Sequence, residues 1–381
     1  MLRCNILSIF LAFSLLAGAQ DWKVVRENPQ KAFPKTVAAG NYSGITHLHD
    51  DIYAVVSDKS DSALYFNFRI LVNPKTGELE QVENLGFTER TDGTLNDGKF
   101  WQGQEKGFDH EAIVKVSDST LVIASEGCCR LKEYPILPTS ADAAKVGSSQ
   151  NLWESKWPSS EFYPNYNFES LAFDSVRQYL WTIPESTLRK DGQPATPQNG
   201  LTNQLRLMRL DWGKMKENRN KEEYSEQVSS KKDSRYMTPY AYQMDQPSTH
   251  KKADIYVMGV SELCALPDGQ LLVLEREAFI PKIKIGAFCK CKLYQINPLN
   301  SEEFSMKENF SSDTPFLKKR LLAEWKTGLS LSKRSFANYE GMCLGPKLED
   351  GSQVVILLSD SQDQYAGVLK DWFKTIVIRK E

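Results

Sequence analysis

The chain has 381 residues, with 47 Lys and Arg against 49 Asp and Glu, for a formal net charge of −2. That near-balance offers neither nucleic acid nor an anionic membrane a field to bind, and a chain of this length is ample for a substantial core. No G-x-S-x-G elbow, H-E-x-x-H pair, P-loop or Gly-rich dinucleotide fingerprint occurs, so chemistry has to be sought in other patterns.

The first element is a leader. Arg3 precedes an apolar stretch from Ile6 to Leu16, and Ala17-Gly18-Ala19 supplies the small residues a signal peptidase needs. A secretory signal over residues 1–19, cut after Ala19, is expected, and with it a secreted or periplasmic location. The apolar core is shorter than the ~20 residues of a spanning helix, and no second long apolar run follows, so no membrane span is expected. Cys128, Cys129, Cys264, Cys289, Cys291 and Cys343 remain beyond the leader; an even number in an exported chain permits disulfides, with buried thiols as the alternative.

Five β-hairpin patterns follow in chain order, at 43–58, 110–126, 168–185, 261–277 and 339–360. Each is a short apolar run, a turn of Asp, Ser or Gly, and a run rich in Val, Ile and Leu. Successive units have room for two more strands; after the first, 63–73 and 78–87 read as strands joined by the turn Pro74-Lys75-Thr76-Gly77. Repeated four-stranded meanders are the signature of an all-β β-propeller. Five repeats are recognisable, but the long gap between Glu169 and Glu262, with strand-like runs at 205–212 and 254–259, favours six blades over five. One propeller is expected over 20–381, with a charged surface insertion near 187–253. The last strand, in 374–381, is expected to pair with 21–27 and close the ring.

Each hairpin is bracketed by acids. Near the start stand Gly44, Glu111, Glu169, Glu262 and Glu340; at the end stand Asp58, Glu126, Glu185, Glu275 and Asp360. The innermost strand of a blade lines the channel, and its antiparallel partner returns to the same rim, so both sets gather at one channel mouth. Carboxylates crowded together do not all stay ionised without protons or cations, and oxygen-only ligation suits Ca²⁺. The expected metal ligands are Glu111, Glu169, Glu262, Glu340 and Asp360. His110, Glu126, Glu185 and Glu275 are the candidates for proton transfer, and Arg130, Arg276 and Lys59 the candidates for binding an anionic substrate. Gly44 leaves a gap in the inner set through which substrate would enter.

The runs Asp109-His110-Glu111-Ala112-Ile113 with IASEG, NFESLAF with IPES, GVSELCALPDGQLLVLERE, and NYEGM with LLSDSQ resemble the phytase-like family, also described as "esterase-like activity of phytase". The resemblance spans roughly 40–380. It implies a β-propeller, export and phosphoesterase-like chemistry, and maps the family's acidic positions onto Glu111, Glu126, Glu169, Glu185, Glu262, Glu275 and Glu340. Ala112, Ser170 and Leu263 stand where a Gly often follows the acid; Gly341 keeps it. The clustered Asp residues of calcium-dependent propeller phytases are not present, so phytate itself is not implied. The leading expectation is a monomeric, Ca²⁺-dependent hydrolase of a small anionic ester. A ligand- or protein-binding propeller with a structural ion, and a lactonase-type calcium hydrolase, are the alternatives.

Overall fold

The computed structural model describes residues 21–60, 62–90, 95–96, 109–136, 152–221, 234–330, 334–361 and 369–381. The leader expected at 1–19 lies outside them. After an N-terminal strand β1 (Trp22–Glu27), the first blade comprises β2 (Tyr42–His49), β3 (Ile52–Ser57), β4 (Ala63–Val72), β5 (Leu79–Glu89) and a short β6 (Leu95–Asn96). The second holds β7 (His110–Lys115), β8 (Thr120–Ser125), β9 (Arg130–Pro135) and β10 (Glu154–Lys156). The third holds β11 (Phe168–Asp174), β12 (Tyr179–Pro184), β13 (Gln204–Asp211) and β14 (Met237–Gln243). The fourth holds β15 (Ile255–Ala265), β16 (Leu271–Ile280), β17 (Phe288–Ile296) and β18 (Lys319–Gly328). The fifth holds β19 (Asn338–Lys347), β20 (Gln353–Asp360) and β21 (Phe373–Lys380), with β1 as its outer strand.

All neighbouring strands are antiparallel, and the terminal closure is as expected, with Trp22 opposite Lys380 and Glu27 opposite Ile376. The turn between β4 and β5 is also where the residues place it. Asn73 Oδ1 accepts from the Lys75 and Thr76 amides, and Gly77 takes φ +71°, a conformation that glycine adopts without strain.

Five apolar cores lie between sheets rather than within them. Ile45, Phe66 and Phe68 pack against Val354, Ile356 and Phe373, and Leu272, Leu274 and Cys291 against Tyr339, Leu357 and Ile376. The remaining three interfaces join the third and fourth, second and third, and first and second blades. The inner strands β2, β7, β11, β15 and β19 touch in that order, and β19 returns to β2. This is a β-propeller. Among the described residues it has five sheets, not the favoured six. The run at 205–212 is the third strand of the third blade and pairs with β12, while 254–259 supplies the first half of β15.

The expected insertion at 187–253 therefore contains two structural strands, β13 and β14. Its charged part includes the helix α1 (Trp212–Lys221), and 222–233 lie outside the described residues. None of the six cysteines is in a disulfide. Cys289 and Cys291 face the same side of β17, with Sγ atoms 3.8 Å apart in the core. No helix among the described residues is long and apolar enough to cross a membrane.

Candidate functional site

The strand register repeats around the ring. Every blade carries a β-bulge in its innermost strand, between Tyr42 and Gly44, His110 and Ala112, Phe168 and Ser170, Val260 and Glu262, and Tyr339 and Gly341. A bulge sets two residues opposite one and re-aims a side chain. The bulged residues are Ser43, Glu111, Glu169, Ser261 and Glu340. The first pair beyond each bulge toward the rim sets a residue of strand one opposite one of strand two. The Asp58 amide bonds to Asn41 O at 3.2 Å, Glu126 to Asp109 O at 2.8 Å, and Glu185 to Asn167 O at 2.7 Å. Gly259 stands opposite Arg276, and Asn338 opposite Asp360.

This register corrects the expected ligand set at the first and fourth blades. The residue equivalent to Glu111 is Ser43 in the first blade, where the Ser43 hydroxyl donates to His110 O at 2.9 Å. Gly44 is one position on, where a Cβ would lie 2.7 Å from Glu111 O; it admits the neighbouring strand rather than substrate. In the fourth blade the equivalent is Ser261. Glu262 points between strands, and its Oε1 accepts from the amides of Leu171 at 2.9 Å and Leu263 at 3.0 Å. It ties β11 to β15 and does not line the mouth. Glu275 is likewise one residue short of the rim, taking the Tyr242 hydroxyl at 2.6 Å and Lys319 Nζ at 2.7 Å. The rim position of that blade belongs to Arg276.

His110 and Arg130 are also placed away from the mouth. His110 is buried between blades, with Nδ1 2.8 Å from Ser125 Oγ. Burial, with Arg90 and Arg130 nearby, pushes its pKa down to about 3, so it is neutral at physiological pH. Arg130 pairs with Glu154 at 3.6 Å on the outer part of its blade.

What the ring does gather is a cavity of about 610 Å³ at the channel mouth, within the size range of small-molecule sites. Of the expected residues it is lined by Glu111, Glu126, Glu169, Glu185, Glu340, Asp360, Lys59 and Arg276. Asp58 and Asp109 join them. Asp109, which directly precedes His110-Glu111, is a site residue that the pattern of acids does not single out; its φ of +49° and its place opposite Glu126 aim it at the mouth.

Two arrangements divide the charge. On the side of the third to fifth blades, Arg276 is the hub: its guanidinium donates to Glu169 at 3.0 Å, Glu185 at 2.5 Å, Asn338 at 3.1 Å and Glu340. Gly259 is needed here, because a Cβ would fall 2.6 Å from Glu185 O. On the side of the first and second blades, one carboxylate oxygen each from Asp58, Asp109 and Glu111 lies within 4.8 Å of the others. Lys59 pairs with the Asp58 Oδ2 atom, whereas the buried Asp58 Oδ1 has no hydrogen-bond partner.

Burial and neighbouring acids push these carboxyls upward. Asp58 is raised to about 7, chiefly by burial. Glu111 stands well above the ordinary range for the same reason, with Asp58 and Glu169 adding to it. Glu126 is raised to about 7 by burial and then by Glu185. Three oxygen donors, mutually repelling and incompletely hydrogen-bonded, form a cluster that a hard divalent cation fits.

A ring of antiparallel sheets with a carboxylate-lined mouth defines a β-propeller carrying a candidate cation-binding centre. The family described as "Phytase-like: Esterase-like activity of phytase" matches residues 37–362, and the chain belongs to this family. The chain is also similar to three solved structures, each at 8% identity. The Dos1 propeller has a TM-score of 0.27, with 87% of this chain and 69% of that one covered. A member of the DUF4221 family from Bacteroides vulgatus has 0.27, covering 96% and 100%. Hsv2 from Kluyvelomyces marxianus has 0.24, covering 90% and 99%. No curated protein matches the chain.

Proposed function

We propose that the protein is an exported, Ca²⁺-dependent hydrolase of phosphoester or related ester bonds, working in the acidic mouth of the propeller. The observation that carries this proposal is the convergence of Asp58, Asp109 and Glu111 from two blades onto one point. These three residues would hold the ion, and oxygen-only donors of this kind suit Ca²⁺. When bound, such an ion supplies Lewis acidity toward a phosphoryl or carbonyl oxygen.

The chain's own groups have distinguishable tasks. Glu126, raised to about 7, is matched to taking and giving a proton near neutral pH. Arg276 offsets the charge of Glu169, Glu185 and Glu340 and fixes their orientation, which leaves the Asp58 side of the mouth to the ion. Lys59 is half-exposed at the rim, where its ammonium is available to an anionic oxygen beyond its contact with Asp58. Export rests on the leader sequence, and N-terminal sequencing of the protein from culture medium or periplasm should begin at Gln20.

A panel of phosphomonoesters, phosphodiesters, carboxylic esters and lactones, assayed with Ca²⁺, with chelator and with Glu111→Gln, tests the proposal. Phosphoester or ester turnover lost in both controls supports it. Turnover confined to lactones selects the lactonase-type alternative. No turnover anywhere, with Ca²⁺ still raising the melting temperature, selects a binding propeller.

A further inference from the structure

The fourth blade differs from the others in reach. In the second and third blades the inner hairpin stops at or before the rim pair, Asp109 with Glu126 and Asn167 with Glu185. In the fourth, pairing continues past Gly259–Arg276 through four further rows, from Met258–Glu277 to Ile255–Ile280. This extension stands above the mouth across the ring from Asp58, Asp109 and Glu111.

Alternation along a strand fixes what it shows to the cavity. The residues of β16 that line the cavity are Arg276, Ala278 and Ile280, and on β15 Val257 and Ile255 do so. The intervening Tyr256 and Glu277 turn to the other face, where the Tyr256 hydroxyl donates to Glu277 at 3.0 Å. Moving outward from Arg276, the wall therefore passes from charge to small apolar to large apolar. Beyond the wall, Ile283 and Ile285 on the following turn are exposed, 75% and 48%. Phe336 and Leu329 continue the apolar lining on the flank.

Apart from Lys284, which pairs with Asp254 at 3.4 Å, this wall offers a wholly polar substrate no side-chain partner, so the substrate's own polar groups would lose water there without replacement. From this geometry, and resting on the hydrolase reading of the same mouth, we infer that the substrate is amphiphilic: an ester or phosphoester whose reacting group sits at the acidic floor while a hydrocarbon chain lies along Val257, Ala278 and Ile280. The apolar lip fixes the direction of entry, with the polar group leading. The cavity volume of about 610 Å³ has room for a small polar group together with a single short chain.

The test uses the mature protein with Ca²⁺ and two series of increasing alkyl length, methyl to octyl. One series is 4-nitrophenyl alkyl phosphates, followed by turnover; the other is alkylphosphonates, followed by calorimetric binding, all below their micelle concentrations. Binding and kcat/KM are expected to rise about 2- to 4-fold per added methylene, the factor for burying that much hydrocarbon in a partly open groove. The slope should flatten in Val257→Ser and in Ile280→Ser. Ile255→Ser, at a site 49% exposed, serves as a third variant should either fold poorly. A flat series in the wild type, or a slope that the variants leave unchanged, overturns the inference; turnover of the methyl compound would in that case leave the hydrolase proposal standing. A slope in phosphonate binding without turnover of any compound supports an amphiphile site and refutes the hydrolase. Phospholipid vesicles form the last arm: vesicle capture combined with a flat monomer series assigns the lip to a membrane and overturns the inference.

Discussion

Replacing Arg276 with Met removes the one guanidinium that contacts Glu169, Glu185 and Glu340 together. Its side chain is only 4% exposed and those of its partners 12%, 1% and 13%, so water cannot substitute for it. Removing one partner of a buried ionic cluster typically costs about 3–5 kcal/mol, because the remaining charges stay desolvated. For the roughly 310 described residues, an unfolding entropy near 2.1 cal/mol/K per residue turns about 4 kcal/mol into a melting-temperature loss of about 6 °C. The cost should depend on pH. Burial and mutual repulsion already hold Glu169 and Glu340 above the ordinary carboxyl range, and without Arg276 these groups take up protons more readily still. Protonation relieves the uncompensated charge, so the loss measured by calorimetry in chelator should be full at pH 8 and about half as large or less at pH 5. An equal loss at both pH values, or none at pH 8, would refute the assignment of Arg276 as the neutralising hub.

Asp58, at about 7 in the folded chain against 3.8 ordinarily, keeps its proton where the unfolded chain has released it, so the protein without Ca²⁺ should lose stability as pH rises between about 4 and 7. At about 1.4 kcal/mol per tenfold change in acidity this is of order 4 kcal/mol for Asp58, and saturating Ca²⁺ should raise the melting temperature more at pH 8 than at pH 5. Glu262→Ala strips the acceptor from the buried amides of Leu171 and Leu263, at about 1–3 kcal/mol each, and should lower the melting temperature while leaving Ca²⁺ affinity unchanged in titrations of the folded variant. Glu126→Gln should lower kcat by about 100-fold or more and abolish the pH-rate limb near 7, whereas His110→Gln should stay within about 3-fold of wild type in kcat.

The propeller was legible because each inner hairpin announces itself: two short apolar runs around an Asp, Ser or Gly turn, at 110–126 as plainly as at 168–185. The convergence of distant acids follows from antiparallel return to the same rim. What the sequence hid was the bulge. One extra residue in strand one shifts which side chain faces the mouth, and no residue type marks it: the bulged position is Glu in three blades and Ser43 or Ser261 in two. Matching blades by their acids therefore selected Glu262 and Glu275, each one residue away from the positions that Ser261 and Arg276 occupy. Asp109 is hidden for a related reason: its equivalents in the other blades are Asn41, Asn167, Gly259 and Asn338, and only in the second blade is that position charged. The blade count misled because the third blade carries its charged helix α1 between β13 and β14, stretching one repeat until it looked like two.

Calorimetric titration of Ca²⁺ into the mature protein at pH 8, beside Asp109→Asn and Glu111→Gln, bears most directly on the cation centre. Wild-type protein should show saturable binding that weakens at least about 10-fold in each variant, as expected when one of three charged ligands is removed. Undiminished binding in both variants, or no binding to the wild type, would contradict a centre built from Asp58, Asp109 and Glu111.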